Sequence, residues 1–184
     1  MGRGDPARTR RNYLATVGAT ATAVGLSGCT GGEPQPPNES TNETAPVSDE
    51  RPVFPGYETT PVTVSTPDGE RLGSVTAAVA DTDELRQLGL SATESLADDH
   101  GMLFIFDRVA DRTFVMREMD FGIDIVYADA SGTITQIHRA PAPDPDEDGE
   151  EHRYPGRGQY VLEVTLDWTT ERDVESGDRL DWGK

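Results

Sequence analysis

Cysteine and lysine are almost missing from this 184-residue chain: Cys29 is the one thiol and Lys184 the one lysine. A single cysteine excludes a disulfide within the monomer and a thiolate-based zinc site. The shortage of cations runs deeper, with 16 basic against 34 acidic residues. Nucleic acid needs patches of Lys and Arg to neutralise its phosphates, so that class of partner is excluded. His100, His138 and His152 are far apart, which leaves no paired-histidine metal motif. A G-x-S-x-G elbow and a phosphate-cradling glycine loop are also missing. No apolar run reaches the roughly 20 residues of a membrane span.

What is present at the start is an ordered set of signals. Arg3, Arg8, Arg10 and Arg11 precede a short, weakly apolar run over residues 15–26, and Leu26-Ser27-Gly28-Cys29 has the form of a lipobox. A basic start, a short apolar centre and small residues before a cut site define a signal peptide, and the arginine pair points to the twin-arginine route. Residues 1–28 are therefore expected to be removed. Cys29 is expected to carry lipid and to tether the exported chain to the outer face of the cytoplasmic membrane. Two acyl chains hold far better than one, at about 0.8 kcal/mol per buried methylene.

Loss of residues 1–28 takes away four arginines and one aspartate, leaving 12 basic and 33 acidic residues, a net charge of −21. Such self-repulsion weakens a compact state at low ionic strength. It is largely screened at about 1 M salt, where the Debye length is roughly 3 Å. The acid is spread along the chain, which points to adaptation to high salt and a halophilic archaeon. An acidic surface for a cationic partner or metal ions is the alternative. Residues 29–58 are rich in Pro, Gly, Ser, Thr and Glu and lack apolar periodicity, so a disordered tether is expected. Within it, Asn38-Glu39-Ser40 and Asn42-Glu43-Thr44 make Asn38 and Asn42 candidate glycosylation sites.

Residues 59–184 are expected to hold a single compact domain. Residues 62–66 alternate like a strand, Asp68-Gly69 marks a turn, and residues 72–79 resume as the second arm of a hairpin. Asp81-Thr82-Asp83-Glu84 offers a helix start, with Leu85, Leu88 and Leu90 forming one apolar face. Further strands are predicted over residues 102–106, 113–116, 123–128, 133–139 and 160–164. A Pro- and acid-rich excursion fills residues 141–156, with Gly156-Arg157-Gly158 as a flexible lead-in to the next strand. Residues 168–174 suit a short helix, and Gly177-Asp178 leads into a last short strand. This pattern predicts an α+β, mainly β domain of short, mostly antiparallel strands with one or two short helices, paired mainly in sequence order.

Several blocks resemble a known family. They are Gln87-Leu88-Gly89-Leu90, Leu96 and Gly101-Met102-Leu103-Phe104-Ile105-Phe106, then Phe114-Val115-Met116-Arg117-Glu118-Met119 and Ile123-Asp124-Ile125-Val126-Tyr127-Ala128-Asp129. Ser131-Gly132-Thr133-Ile134, Tyr160-Val161-Leu162-Glu163-Val164 and Ser176-Gly177-Asp178-Arg179-Leu180 complete the series. In this order they resemble the DUF192 (UPF0127) group over most of residues 60–181. The resemblance implies a compact, mostly β domain, often exported, and no established activity. Val115 stands where the family often has Trp, Arg117-Glu118-Met119 replaces Lys-Asn-Thr, and Gly122 stands near the usual Pro. A pocket walled by that Trp is therefore not implied here.

Asp124 is the leading candidate for a functional side chain, because it interrupts an apolar run from Phe121 to Tyr127. A buried carboxylate must find a partner or neutralise. Asp124 is then either a ligand-orienting or acid/base group, or an architectural one held by backbone amides of residues 113–117 or paired with Arg117 or Arg112. Phe114, Met116, Met102 and Phe104 are candidates to line a pocket beside it, with Arg117 and Glu118 at the rim; plain core is the other reading of the Met and Phe cluster. Asp144-Pro145-Asp146-Glu147-Asp148-Gly149 reproduces the opening of a D-x-D-x-D-G calcium loop, but Pro155 takes the twelfth position, where the closing Glu belongs. Asp144, Asp146 and Asp148 are thus either metal ligands or a solvated loop, and apart from that hint of calcium no cofactor is expected.

The expected function is that of a tethered extracytoplasmic module binding a small molecule, a glycan or a protein. One alternative is a hydrolase of envelope polysaccharide or lipid-linked sugar, with Asp124 and either Glu118 or Glu163 as acid and base. Another is an accessory subunit in envelope assembly. Neither catalysis nor oligomeric state is legible in the sequence.

Overall fold

The computed structural model describes residues 54–183. The expected signal peptide, Cys29, Asn38 and Asn42 lie outside the described residues. Seven strands and two short helices follow one another: β1 (Glu58–Ser65), β2 (Arg71–Ala80), α1 (Asp83–Leu88), β3 (His100–Val115), β4 (Ile123–Ala128), β5 (Ile134–Ala140), β6 (Arg153–Thr165), α2 (Trp168–Glu171) and β7 (Arg179–Trp182). The domain is α+β and mainly β, as its patterning predicts. Phe54 is buried and Tyr57 half-buried, so packing begins before Thr59. Two isolated aromatics are too few to imprint a periodicity on the end of the expected tether.

All seven strands form one sheet in the order β5-β4-β6-β3-β2-β1-β7. The predicted hairpins β1–β2 and β4–β5 are present, and both are antiparallel. The pairing elsewhere departs either from antiparallel or from sequence order. β2 and β3 run parallel with α1 between them in sequence, and β6 inserts between β3 and β4. The predicted strands at 102–106 and 113–116 are one long strand, β3. Between Ile105 and Ala110 it advances five residues while β6 advances two, from Tyr160 to Gly158. The polar segment between the two apolar runs is therefore a bulge rather than a loop.

The expected lead-in at Gly156-Arg157-Gly158 is likewise part of a strand, since β6 begins at Arg153 and pairs with the end of β3. Gly156 is required there. A Cβ on it would lie 2.6 Å from the Tyr127 ring, so only glycine lets the ring lie flat against the strand.

The sheet curls until its edges meet. Thr133 bridges Arg179, Ile134 N donates to Asp178 O at 2.7 Å, and Leu180 N donates to Gly132 O at 2.8 Å. The enclosed face holds a first core drawn from strands all round the sheet, including Val62, Leu103, Val126, Leu162, Leu180 and Trp168. A second core lies on the outer face of β2, β3, β6 and β4. There Met102, Phe104, Ile125, Tyr127 and Val161 are covered by Phe54, Leu90, Met116 and Met119. Burial on both faces explains why all six residues of β4 are buried.

Candidate functional site

The covering layer does not seal the second core. Between it and β3 a cavity of about 470 Å³ opens to solvent. Its exposed rim includes Asp83, Gln87, Leu88, Asp111 and Thr113, and its buried floor includes Phe104, Leu90, Met119, Ile123 and Glu163. Helix α1 forms one side. Thr82 caps it by accepting from Leu85 N at 3.2 Å, and Gly89 ends it with φ +53°. The predicted apolar face of α1 is divided: Leu90 is buried, Leu85 half-buried, and Leu88 44% exposed on the rim. The turn after β3 forms the other side. Arg117 Nη2 donates to Gln87 O at 2.7 Å, and Ser91 Oγ donates to Arg117 O at 3.0 Å. These two bonds join the sides of the cavity.

Glu163 is 5% exposed, and its carboxyl has no hydrogen-bond or ion-pair partner among the described residues. Register places it between Met102 of β3 and Ile125 of β4, on the cavity face. Burial pushes its pKa up to about 8. At neutral pH the group is mostly protonated and can donate as well as accept a hydrogen bond. Tyr57 and Tyr127 lie within its field: burial raises both phenols, and Glu163 raises them further.

The β3 bulge carries Phe106, whose ring faces two guanidiniums, Arg112 at 3.3 Å and Arg86 at 5.1 Å from the centroid. Arg86 is bound to the carbonyls of Asp81 and Ile105, each at 2.6 Å, and to Asp83. Arg112 donates to Gly158 O at 3.2 Å and Arg108 O at 2.9 Å. Its own proton affinity is lowered by burial, then by the neighbouring charges of Arg86 and Arg108.

The candidates from sequence separate into groups. Phe114 and Arg117 line the cavity. Met102 and Met116 are fully buried in the core behind it. Glu118 is exposed on the turn with φ +54°, its amide donating to Asp148 O at 3.1 Å. Asp124 is on the other face of the sheet, because it pairs with Val164 while Glu163 pairs with Ile125. Fully buried, it accepts from Asp167 N at 3.2 Å, Thr169 N at 2.9 Å and Thr169 Oγ1 at 2.5 Å. These amides open α2, whose own N-cap residue, Asp167, makes no side-chain capping bond. Asp124 thus caps a helix 45 residues away in sequence, and its partners are not those of residues 113–117, Arg112 or Arg117.

The Asp144–Asp148 carboxylates are exposed, and no three His, Cys, Asp or Glu side chains converge on a metal position among the described residues. The glycine that suggested an ion loop serves another contact. Gly149 has φ +77° and its carbonyl accepts from Met116 N at 3.1 Å, which docks the loop under the cavity turn. Arg86 and Phe106 carry no motif that marks them as site residues, and Glu163 and Arg112 enter the sequence reading only as partners of Asp124, from which the sheet separates Glu163. The usable signal was chemical: a lone carboxylate inside Tyr160–Val164, and arginines beside phenylalanines in a chain poor in cations.

These features define a small, mainly β, curled-sheet domain with a lateral cavity. The chain belongs to the DUF192 family, described as Uncharacterized ACR, which it matches over residues 63–182. Two crystal structures share the fold. One is a "putative transcription regulator" from Sinorhizobium meliloti 1021, at 26% identity and TM-score 0.61, covering 68% of this chain and 95% of that one. The other is a protein of unknown function from Novosphingobium aromaticivorans DSM 12444, also at 26% identity and TM-score 0.61, covering 75% and 90% respectively. No curated protein matches the chain.

Proposed function

We propose that this chain is an exported, lipid-tethered binding module that takes a small molecule in the cavity above Glu163. The observation that carries this reading is the lone buried carboxyl at the floor of an open cavity. The carboxyl faces the cavity without a protein partner, so a ligand that fills the space can hydrogen-bond to it. Cavities of roughly 300–1,000 Å³ with few polar groups among apolar ones suit small ligands.

A protein-binding surface is less well supported. Leu88 is the one exposed large hydrophobic residue among the described residues, so no broad apolar patch is present there. Glycosidic hydrolysis through Asp124 and Glu163 needs both carboxylates in one cleft, whereas they occupy opposite faces. The regulator name of the Sinorhizobium protein suggests gene control, but a net charge of −21 opposes contact with DNA.

The test is thermal unfolding in high salt with a panel of sugars, sugar acids and small aromatic acids. A compound that stabilises the wild type but not Thr113→Trp, which fills the rim, supports the reading. A panel with no such compound defeats it. The tether is tested separately: Cys29→Ser should shift the protein from the membrane to the soluble fraction, and unchanged retention removes the anchor.

A further inference from the structure

We propose that the cavity takes a small organic oxyanion, its charged head at Arg112 and Arg117 and its apolar body against Phe104 and Phe114. This rests on the reading of the cavity as a binding site and adds the class of ligand.

The first ground is scarcity. Carboxylates outnumber cations two to one in this chain, yet Arg86, Arg112 and Arg117 all line one cavity. The second is that two of these charges are left uncompensated. Among the described residues neither Arg112 nor Arg117 has a carboxylate within ion-pair distance; their bonds go to the carbonyls of Gly158, Arg108 and Gln87. A carbonyl orients a guanidinium without cancelling its charge.

The third ground is that the acids of the lining are paired with other arginines or mostly uncharged. Asp83 is held by Arg86, and Asp111 by Arg157 at 3.0 Å. Glu163, kept mostly protonated by burial, does not repel an anion at neutral pH. Like charges crowd Arg112, so an arriving anion relieves repulsion as well as gaining charge-assisted hydrogen bonds. The aromatic wall is ordered by edge contact, Phe104 and Phe114 lying 4.9 Å apart at 87°. It offers an apolar surface of the size of one ring system.

The probe pair is 8-anilinonaphthalene-1-sulfonate and N-phenyl-1-naphthylamine, which share an aromatic body and differ by the sulfonate. Titrations use the full chain in high salt. Arg112→Met and Arg117→Gln should each weaken the sulfonate dye about tenfold, the loss of one charge-assisted bond, and change the neutral dye by less than about twofold. Arg112→Lys should restore much of the loss. Thr113→Trp should weaken both dyes. Benzoate and phenyl phosphate should displace the sulfonate dye and benzyl alcohol should not; the stronger competitor separates carboxylate from phosphate ligands. If the arginine variants weaken both dyes alike, or neither, the oxyanion class is overturned while the cavity reading survives. If Thr113→Trp leaves both dyes bound as before, the dyes are not in the cavity and both readings fall.

Discussion

Asp124 and Glu163 are both carboxylates set in apolar strands, and both are buried. Their surroundings give them opposite roles. Asp124 is saturated by two amides and a hydroxyl, so removing it orphans three donors at the start of α2. Asp124→Ala should cost roughly 2–4 kcal/mol in chemical denaturation, while Asp124→Asn, which keeps one acceptor, should cost less. Dye binding in the cavity should not change for either variant that folds; a loss confined to binding would place Asp124 in the site. Glu163 is unpartnered, and its cost appears with pH. The folded carboxyl ionises near 8 and the unfolded one near its ordinary value of 4.5. Between those values the folded state holds one more proton, so stability falls as pH rises, by about 1.4 kcal/mol per unit. Below 4.5 and above 8 its contribution is flat. Glu163→Gln should remove this slope and gain on the wild type towards pH 8. Parallel stability curves for the two proteins across pH 5–8 would refute the assignment.

Among the elements, the turn after β3 depends on the acidic loop below it. A Cβ on Gly149 would lie 2.1 Å from Met116 O, and φ there is +77°. Gly149→Ala must therefore push the loop away, with an expected loss of roughly 2–4 kcal/mol and a weaker grip on the dye through displaced Arg117. Gly177, at φ +104° with nothing within 4 Å, is the control: Gly177→Ala should cost only about 1 kcal/mol. Equal losses at both positions would show that strain alone, and not docking, explains Gly149. This turn also marks what the sequence could and could not say. Alternation of apolar residues located β1 and β2, and the nearly unbroken apolar run located β4, which is buried on both faces. It split β3, because the bulge between Ile105 and Ala110 places polar residues inside a strand. It was silent on β6 lying between β3 and β4, since no local signal encodes a partner about 50 residues away. The cavity inherits that silence. Phe106 and Arg117 are carried by β3 and the turn after it, and only the pairing of β6 with β3 and β4 brings Glu163 to them.

At the scale of the whole molecule, charge governs stability. Four arginines hold carboxylates among the described residues: Arg86, Arg139, Arg157 and Arg172. Each pair is at least partly exposed and worth about 0–1 kcal/mol, too little to offset the repulsion of a net charge of −18. With a Debye length of about 10 Å at 0.1 M and about 3 Å at 1 M, that repulsion acts across the domain at low salt and between near neighbours at high salt. Thermal stability should therefore climb steeply over this range of potassium chloride. Salt also strengthens apolar burial, so the rise alone does not isolate charge. Neutralising the exposed residues Glu94, Asp98, Asp146, Glu150 and Glu151 to their amides leaves both cores untouched. If screening is the cause, that variant gains most at 0.1 M and little at 1 M, and its salt dependence flattens. An equal gain at both concentrations, or an undiminished salt slope, would assign the effect to apolar burial instead.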